Sequence, residues 1–176
     1  MSLSKIFWIL IIFSFVLMIG FVFQQVLFRS SHQEILTVPK KTVLFLCVHN
    51  SFRSQMAEAY FNKFAKERNL NWQAKSAGFL EAEQINEKAI VLMEEEGIDI
   101  SEKKPKLMTK EMIKEAEKII VVCKECEEQG LCLNLPQDKE IDYWRLENPA
   151  EMELDKARVI RDSIKEKVKI LVESLD

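Results

Sequence analysis

The sequence lacks a large excess of charge of either sign. It carries 25 lysines and arginines against 28 aspartates and glutamates, which gives a formal net charge of -3 over 176 residues. Nucleic-acid-binding proteins usually carry a strong basic excess, so no nucleic acid is expected as a partner. Internal repeats and low-complexity tracts are also missing. Four cysteines are too few for a small secreted disulfide scaffold, which favours a catalytic or redox use of these residues.

One long apolar run is present, near the N-terminus. Residues 6–23 carry no charge, and a helix of that length would span roughly 27 Å, about the hydrocarbon thickness of a bilayer. A cleaved signal peptide or a misassigned start codon are the alternatives, but no small-x-small cleavage site follows the run. We therefore predict a membrane anchor over residues 1–29, a linker over 30–40 and a folded domain over 41–176.

The distribution of basic residues around this run suggests an orientation. Arg29, Lys40 and Lys41 follow the run, whereas only Lys5 and the terminal amine precede it. By the positive-inside rule, this predicts a membrane-anchored protein whose C-terminal domain is cytoplasmic.

Strand and helix patterns alternate through the rest of the chain. Apolar or β-branched runs predict four strands, at residues 42–47, 72–77, 119–123 and 141–145. Apolar residues at helical spacing predict helices between and after them, at residues 54–68, 86–96, 109–116 and 154–171. Strands that alternate with helices are typical of an α/β fold with a parallel sheet covered on both faces.

Cys47 ends the first predicted strand, and the loop that follows leads directly into a helix at Ser54. Ligands of open α/β sheets bind at the carboxyl ends of strands, where loop N–H groups and a helix start can form an anion site. Arg53 adds a planar fork suited to two oxygens of a tetrahedral oxyanion. The same positive field favours a thiolate at Cys47. The pattern predicts a nucleophilic cysteine in an oxyanion cradle, with an inert core cysteine as the alternative.

The run from Val43 to Glu58, VLFLCVHNSFRSQMAE, resembles the signature of the low-molecular-weight protein tyrosine phosphatases and their relatives, the thioredoxin-coupled arsenate reductases. Its second half is more similar to the reductases. Residues 76–78 and 144–149 are also similar to that family. The resemblance implies a flavodoxin-like three-layer fold with a four-stranded parallel sheet.

The same resemblance implies roles for the residues of the cradle. Cys47 would be the nucleophile and Arg53 the oxyanion clamp, while Asn50 and Ser51 would hold the loop and steady the thiolate. The substrate-binding residues would be Val48, His49, Asn50, Ser51, Phe52, Arg53 and Ser54.

Three further cysteines, Cys123, Cys126 and Cys132, follow the third predicted strand. They could form a redox relay, a zinc site or a set of inert surface thiols. Zinc would need a fourth ligand, and the histidines are only His32 and His49. The relay is favoured because phosphotyrosine hydrolysis needs no thiol beyond the nucleophile. Similarity to the reductases implies that Cys123 is the second relay thiol and Cys132 the third, although neither Cys126 nor Cys132 has the family's usual spacing from Cys123.

Three acidic residues lie among these cysteines. Glu125, Glu127 and Glu128 are predicted to form a solvated surface that is compatible with a docking partner.

The catalytic acid that the resemblance implies is missing from its usual place. The family places an aspartate before a proline as general acid, whereas Asn148 stands there in this chain and cannot donate a proton in the same way. Either Glu147 takes that role or the acid is dispensable. A missing acid would impair ester hydrolysis more than arsenate reduction.

The patterns and the resemblance together predict an arsenate reductase. It would form a Cys47–arsenate adduct, resolve it to arsenite through the cysteine relay, and be recycled by thioredoxin or a similar dithiol, without a metal or other cofactor. The alternative is a protein tyrosine phosphatase that acts on a phosphate ester through a phosphocysteine at Cys47. A lesser alternative is a non-catalytic oxyanion or redox sensor.

Overall fold

A computed structural model describes residues 14–21, 23–24 and 39–175. The chain divides into two units between residues 38 and 39. In the first unit, residues 14–21 and 23–24 are helical and exposed.

The predicted membrane-anchored localisation is wrong. Within the described ranges, no helix is both long enough and apolar enough to cross a membrane. Residues 6–13 and 22 of the apolar run lie outside the described residues. The boundaries proposed for the anchor and the linker stay predictions.

The second unit contains a four-stranded sheet. Its strands are β1 (Lys41–Cys47), β2 (Trp72–Gly78), β3 (Lys118–Cys123) and β4 (Ile141–Leu146). All neighbouring strands are parallel, in the order β2-β1-β3-β4. The predicted α/β class and four-stranded parallel sheet are therefore confirmed, and each strand lies within two residues of its predicted limits.

The helices that cover this sheet also follow the sequence pattern. They are α1 (Arg53–Glu67), α2 (Glu87–Glu94), α3 (Lys110–Glu115), α4 (Glu125–Glu128) and α5 (Leu154–Glu173), with a 3₁₀ turn at Leu131–Asn134. Side-chain caps begin two of them, because Asn86 accepts from the N–H of Lys88 and Thr109 from the N–H of Met112. The sequence pattern missed α4 and the 3₁₀ turn, since four residues are too short to show a helical period.

The core forms where the sheet is covered on both faces. Every residue of β1 from Thr42 to Cys47 is buried, as a continuous apolar run requires. Helix α1 packs against β1, β2 and α5, and α3 lies against β1. Phe45, which lies on β1, contacts the rings of Phe61 and Trp144.

The strand order places a crevice at one point of the sheet edge. From β1 the chain moves to β2 on one side, and β3 then lies on the other side of β1. Leu46 is in register with Val121, so the carboxyl ends of β1 and β3 are neighbours. Ligand sites of open α/β sheets form at such a reversal of strand order. Cys47 and Cys123 are the last residues of these two strands.

Candidate active site

Cys47 is the centre of the candidate site. It is a free cysteine and is only 3% exposed at the end of β1. Its sulfur accepts the backbone N–H of Asn50 at 3.1 Å and lies 2.9 Å from the hydroxyl oxygen of Ser54. Two hydrogen-bond donors at the sulfur would stabilise a thiolate, the nucleophilic form of cysteine.

Asn50 fixes the loop that follows Cys47. Its backbone is left-handed, with φ of 54°. Its side-chain Nδ2 donates to the hydroxyls of Ser54 at 2.9 Å and Ser76 at 2.8 Å. Its Oδ1 accepts from Gln55 Nε2 at 2.9 Å and from the N–H of Lys106 at 2.8 Å. One fully buried side chain therefore links the loop to α1, β2 and the segment before α3.

Behind Asn50 lies a buried carboxylate. The Ser76 hydroxyl donates to Glu58 Oε2 at 2.5 Å, and the ammonium groups of Lys103 and Lys106 lie 2.5 and 3.4 Å from the same carboxylate. Burial opposes ionisation of Glu58, but hydrogen bonds from Lys103 and Ser76 and the charges of both lysines outweigh it and lower its pKa. The carboxylate therefore holds Ser76 as an acceptor for Asn50.

A chain of hydrogen bonds leads from this carboxylate to Cys47. The Ser54 oxygen accepts from Asn50 and keeps its own proton, so its hydroxyl is able to donate to a thiolate at Cys47. The order from the interior is therefore Glu58, Ser76, Asn50, Ser54 and Cys47.

Gly78 lets β2 approach the loop closely. A Cβ at this position would lie 2.8 Å from the carbonyl carbon of His49 and 2.9 Å from the nitrogen of Asn50. Both are backbone atoms that cannot rotate away. A residue larger than glycine would therefore displace the loop.

Backbone hydrogen bonds also continue from the sheet into the loop. The N–H of Phe79 donates to the carbonyl of Cys47 at 3.1 Å, and the N–H of Leu80 donates to the carbonyl of Val48 at 2.8 Å. The first residues of the loop are thus held by the chain that leaves β2.

Arg53 begins α1 and is 4% exposed. Its Nη1 donates to the carbonyl of Leu146 at 2.7 Å and to the carboxylate of Glu125 at 2.8 Å. Its Nε–H is buried and has no hydrogen-bond partner among the residues described. The guanidinium is therefore anchored by one nitrogen and retains a donor for an oxyanion.

Glu125 was expected on a solvated face, and this prediction is wrong. Its side chain is 17% exposed because it pairs with Arg53, while Glu127 pairs with Arg145 at the surface. Glu125 is a site residue that the sequence interpretation missed. Its position two residues after Cys123, at the end of a predicted buried strand, was the available signal.

The free thiol of Cys123 is completely buried at the end of β3. Burial, together with the neighbouring Cys47, raises its pKa to about 11, against the opposing effects of Arg53 and the backbone N–H of Cys126. The thiol of Cys123 is therefore neutral at physiological pH.

Cys126 and Cys132 form a disulfide, with their Cα atoms 5.4 Å apart. Cys126 is fully buried and Cys132 is half-buried. A set of inert surface thiols is excluded for Cys123 and Cys126 by their burial. In the described part of the chain, no group of three or more His, Cys, Asp or Glu side chains is arranged to hold a metal ion.

Glu147 and Asn148 both lie exposed, directly after the Leu146 carbonyl that anchors Arg53. The Glu147 carboxylate is 3.7 Å from the Lys124 ammonium. Asn148 Oδ1 accepts the N–H of Ala150 at 3.2 Å, which closes a local turn. Both residues lie beside the site, and neither hydrogen-bonds Cys47 or Arg53.

The side chains of the predicted substrate-binding loop divide into two groups. Val48 and Phe52 are 6% and 4% exposed and belong to the core, so only their backbone can contact a substrate. His49 is exposed and Ser51 is half-buried. Of the side chains between Val48 and Phe52, a ligand could therefore reach those of His49 and Ser51.

Comparisons with known proteins agree with this geometry. The model of the family described as low molecular weight phosphotyrosine protein phosphatase matches residues 42–176. An arsenate reductase of Bacillus cereus (strain AH187) is 35% identical over 130 residues, which cover 74% of this chain and 92% of that protein.

Two solved structures extend the comparison. The crystal structure of an arsenate reductase from Archaeoglobus fulgidus is 37% identical with a TM-score of 0.62, covering 74% of this chain and 98% of that one. A thioredoxin-dependent arsenate reductase of Corynebacterium glutamicum is 29% identical with a TM-score of 0.62, covering 78% of this chain and 62% of that one. The resemblance seen between Val43 and Glu58 is confirmed, and the chain belongs to the low molecular weight phosphotyrosine protein phosphatase family.

Proposed function

We propose that this chain is an arsenate reductase that takes its electrons from cysteine thiols. The observation that carries the proposal is the second free thiol, Cys123, buried at the end of the strand beside that of Cys47. Hydrolysis of a phosphate ester uses no second thiol. Relatives that match most of this chain and are named arsenate reductase support the same reaction. The unit that carries it would be the domain from residue 41 to 176.

The first step would be attack on arsenic. The Cys47 thiolate forms a bond to the arsenic atom of arsenate, and one arsenate oxygen leaves as water after protonation. Backbone N–H groups of the loop other than that of Asn50, and the free Nε–H of Arg53, would hold the remaining oxygens. The N–H of Asn50 and the hydroxyl of Ser54 would hold the Cys47 sulfur in position for its attack.

The second step would release arsenite. Cys123 loses its proton and attacks the Cys47 sulfur, and the electron pair of the sulfur–arsenic bond goes to arsenic. Arsenic is reduced from As(V) to As(III), and the two sulfurs are oxidised to a Cys47–Cys123 disulfide. Because the pKa of the Cys123 thiol is raised, this step must include removal of its proton.

The last step would carry the oxidation to the surface. Cys132 attacks the Cys123 sulfur, frees Cys47 and becomes accessible to an external dithiol. Cys132 suits this role because it is half-buried and its neighbour Leu133 is 85% exposed. The thioredoxin-dependent relative supports thioredoxin or a similar dithiol as the reductant.

Phosphatase activity is the second candidate, because the cradle holds any tetrahedral oxyanion and the family is named for phosphatases. Ester hydrolysis would proceed through a phosphocysteine at Cys47. Its leaving group needs a proton, and the oxygen of Asn148 is used in a turn while Glu147 lies beside Lys124. Neither arrangement supplies an evident acid, which favours the reductase.

The test measures both activities on the full-length protein. Arsenite production would be followed with thioredoxin, thioredoxin reductase and NADPH, and hydrolysis would be followed with p-nitrophenyl phosphate. We expect Cys123→Ser to abolish multiple-turnover arsenite production while aryl phosphate hydrolysis stays within about threefold, since the ester needs only Cys47. Cys47→Ser should abolish both.

Two results would overturn the proposal. If Cys123→Ser hydrolyses the ester and still produces arsenite at the wild-type rate, the thiol mechanism is wrong. If the wild-type protein shows neither activity, the non-catalytic sensor is the better interpretation.

A further inference from the structure

Cys126 has no role in a relay of three thiols. Cys47 attacks arsenic, Cys123 releases arsenite and Cys132 meets the reductant, yet the structure joins Cys126 to Cys132 and leaves Cys47 and Cys123 free. A three-thiol relay would instead end with Cys123 bonded to Cys132. The observed Cys126–Cys132 pairing therefore corresponds to the product of one more thiol–disulfide exchange, in which Cys126 replaces Cys123 as the partner of Cys132.

The placement of Cys126 allows that exchange. It lies in α4, only three residues after Cys123 in the chain. Its own sulfur bonds to Cys132 across only six residues of chain. A Cys126 thiol would thus lie beside a Cys123–Cys132 disulfide, where exchange is intramolecular and needs no diffusion.

Of the four cysteines, only Cys132 has substantial exposure to solvent. Cys47, Cys123 and Cys126 are 3%, 0% and 0% exposed, whereas Cys132 is half-buried. An external dithiol could therefore reach the Cys126–Cys132 pair at the Cys132 sulfur, with Cys126 as the leaving group. Transfer to this pair would return both inner cysteines to the thiol form.

We propose that Cys126 is a fourth redox thiol and that the reduced chain can convert two arsenates to arsenite before it needs an external reductant. This inference rests on the proposed arsenate reductase function. It adds a storage pair, Cys126 and Cys132, to the reacting pair, Cys47 and Cys123.

The exchange steps balance. After the first arsenite leaves, the Cys132 thiolate attacks Cys123 of the Cys47–Cys123 disulfide, and Cys47 departs as a thiolate. The Cys126 thiolate then attacks Cys132, and Cys123 departs as a thiolate. Each exchange forms one disulfide and breaks another. The oxidation that the first arsenate caused at Cys47 and Cys123 is thereby transferred to Cys126 and Cys132, which are left as a disulfide.

A second arsenate can then react without help. Cys47 and Cys123 are thiols again, so a second adduct forms and is released as arsenite, which leaves a Cys47–Cys123 disulfide. Four thiols supply four electrons, and each arsenate takes two. A chain with three active thiols would stop after one arsenite, because its last disulfide includes Cys123.

The test counts arsenite per chain without any reductant. The full-length protein is reduced, desalted under anaerobic conditions, checked for four titratable thiols, and mixed with excess arsenate. We expect two arsenites per chain from the wild type and one from Cys126→Ser or Cys126→Ala. Mass-spectrometric mapping after a single equivalent of arsenate should find the Cys126–Cys132 disulfide in the wild type.

Each result distinguishes this inference from the function beneath it. One arsenite per chain from the wild type, or a Cys123–Cys132 disulfide after the first equivalent, would overturn the fourth-thiol proposal and leave the reductase intact. A resting disulfide that cannot be reduced in the folded protein would also overturn it. No arsenite at all from the four-thiol protein would remove the proposed function itself.

Discussion

Replacement of Asn50 by alanine tests how the loop after Cys47 is held. The change deletes four side-chain hydrogen bonds inside the protein, to Ser54, Ser76, Gln55 and Lys106. At roughly 1 kcal/mol each, their loss should lower the free energy of unfolding by about 4 kcal/mol. That is a large part of the ~5–15 kcal/mol typical of a domain.

The backbone adds a second term to this substitution. Asn50 has φ of 54°, a region that alanine enters at a cost of roughly 1 kcal/mol and asparagine tolerates better. Asn50→Gly deletes the same hydrogen bonds but accepts this backbone conformation. The glycine variant should therefore be more stable than the alanine variant by up to about 1 kcal/mol.

The assays are urea unfolding followed by circular dichroism, and arsenite production at saturating thioredoxin. Both variants keep the backbone N–H that donates to the Cys47 sulfur but lose the side-chain hydrogen bonds that hold it in position. Turnover should therefore fall by about 10²-fold. A stability loss below about 1 kcal/mol in the alanine variant would refute the hydrogen-bond argument. Equal stabilities of the two variants would refute the backbone argument.

Three further predictions concern the rest of the site. Glu125→Gln should lower kcat/KM for arsenate about tenfold, because Arg53 loses a charged anchor; the surface variant Glu127→Gln is the matched control, and equal effects of the two would contradict the pairing. Asn148→Asp should speed hydrolysis of aryl phosphates with poor leaving groups by up to about 10²-fold and add an acidic limb to the pH–rate profile. If neither effect appears, residue 148 does not occupy the position of a general acid. In a variant whose other three cysteines are serine, the absorbance of the Cys123 thiolate at 240 nm should appear only above about pH 10 in the folded protein, against about 8.5 after unfolding. Ionisation below pH 9 in the folded protein would show that its burial is not maintained.

The fold and the first half of the site could be predicted from local pattern. The apolar run of β1, the polar loop and the helix are contiguous, so their spacing alone places Cys47 and Arg53 at the two ends of one loop. The caps at Asn86 and Thr109 are similarly local, and they stand at the first residues of the helices predicted over 86–96 and 109–116.

The rest of the site depends on contacts between distant segments. Glu125 hydrogen-bonds Arg53, 72 residues away in the sequence, because β3 pairs with β1. A contact of this kind leaves no periodic pattern in the sequence. The pairing of Cys126 with Cys132 was not predicted, because spacing does not determine disulfide connectivity. The membrane-anchored localisation was wrong, since an apolar run alone does not show that a spanning helix forms, and the described residues contain none that is long and apolar enough.

The two hydrogen bonds that join Phe79 and Leu80 to the carbonyls of Cys47 and Val48 also have a dynamic consequence. They make this wall of the cradle part of the sheet's cooperative unit, so these amides should exchange with deuterium only through global unfolding. On the side of Cys123, the chain continues into two four-residue turns, α4 and residues 131–134, and short turns of this kind open at far lower free energy. The four cysteines should therefore differ in mobility: Cys47 is held by the rigid sheet, Cys126 and Cys132 lie on the turns that open, and Cys123 lies where the sheet ends and those turns begin.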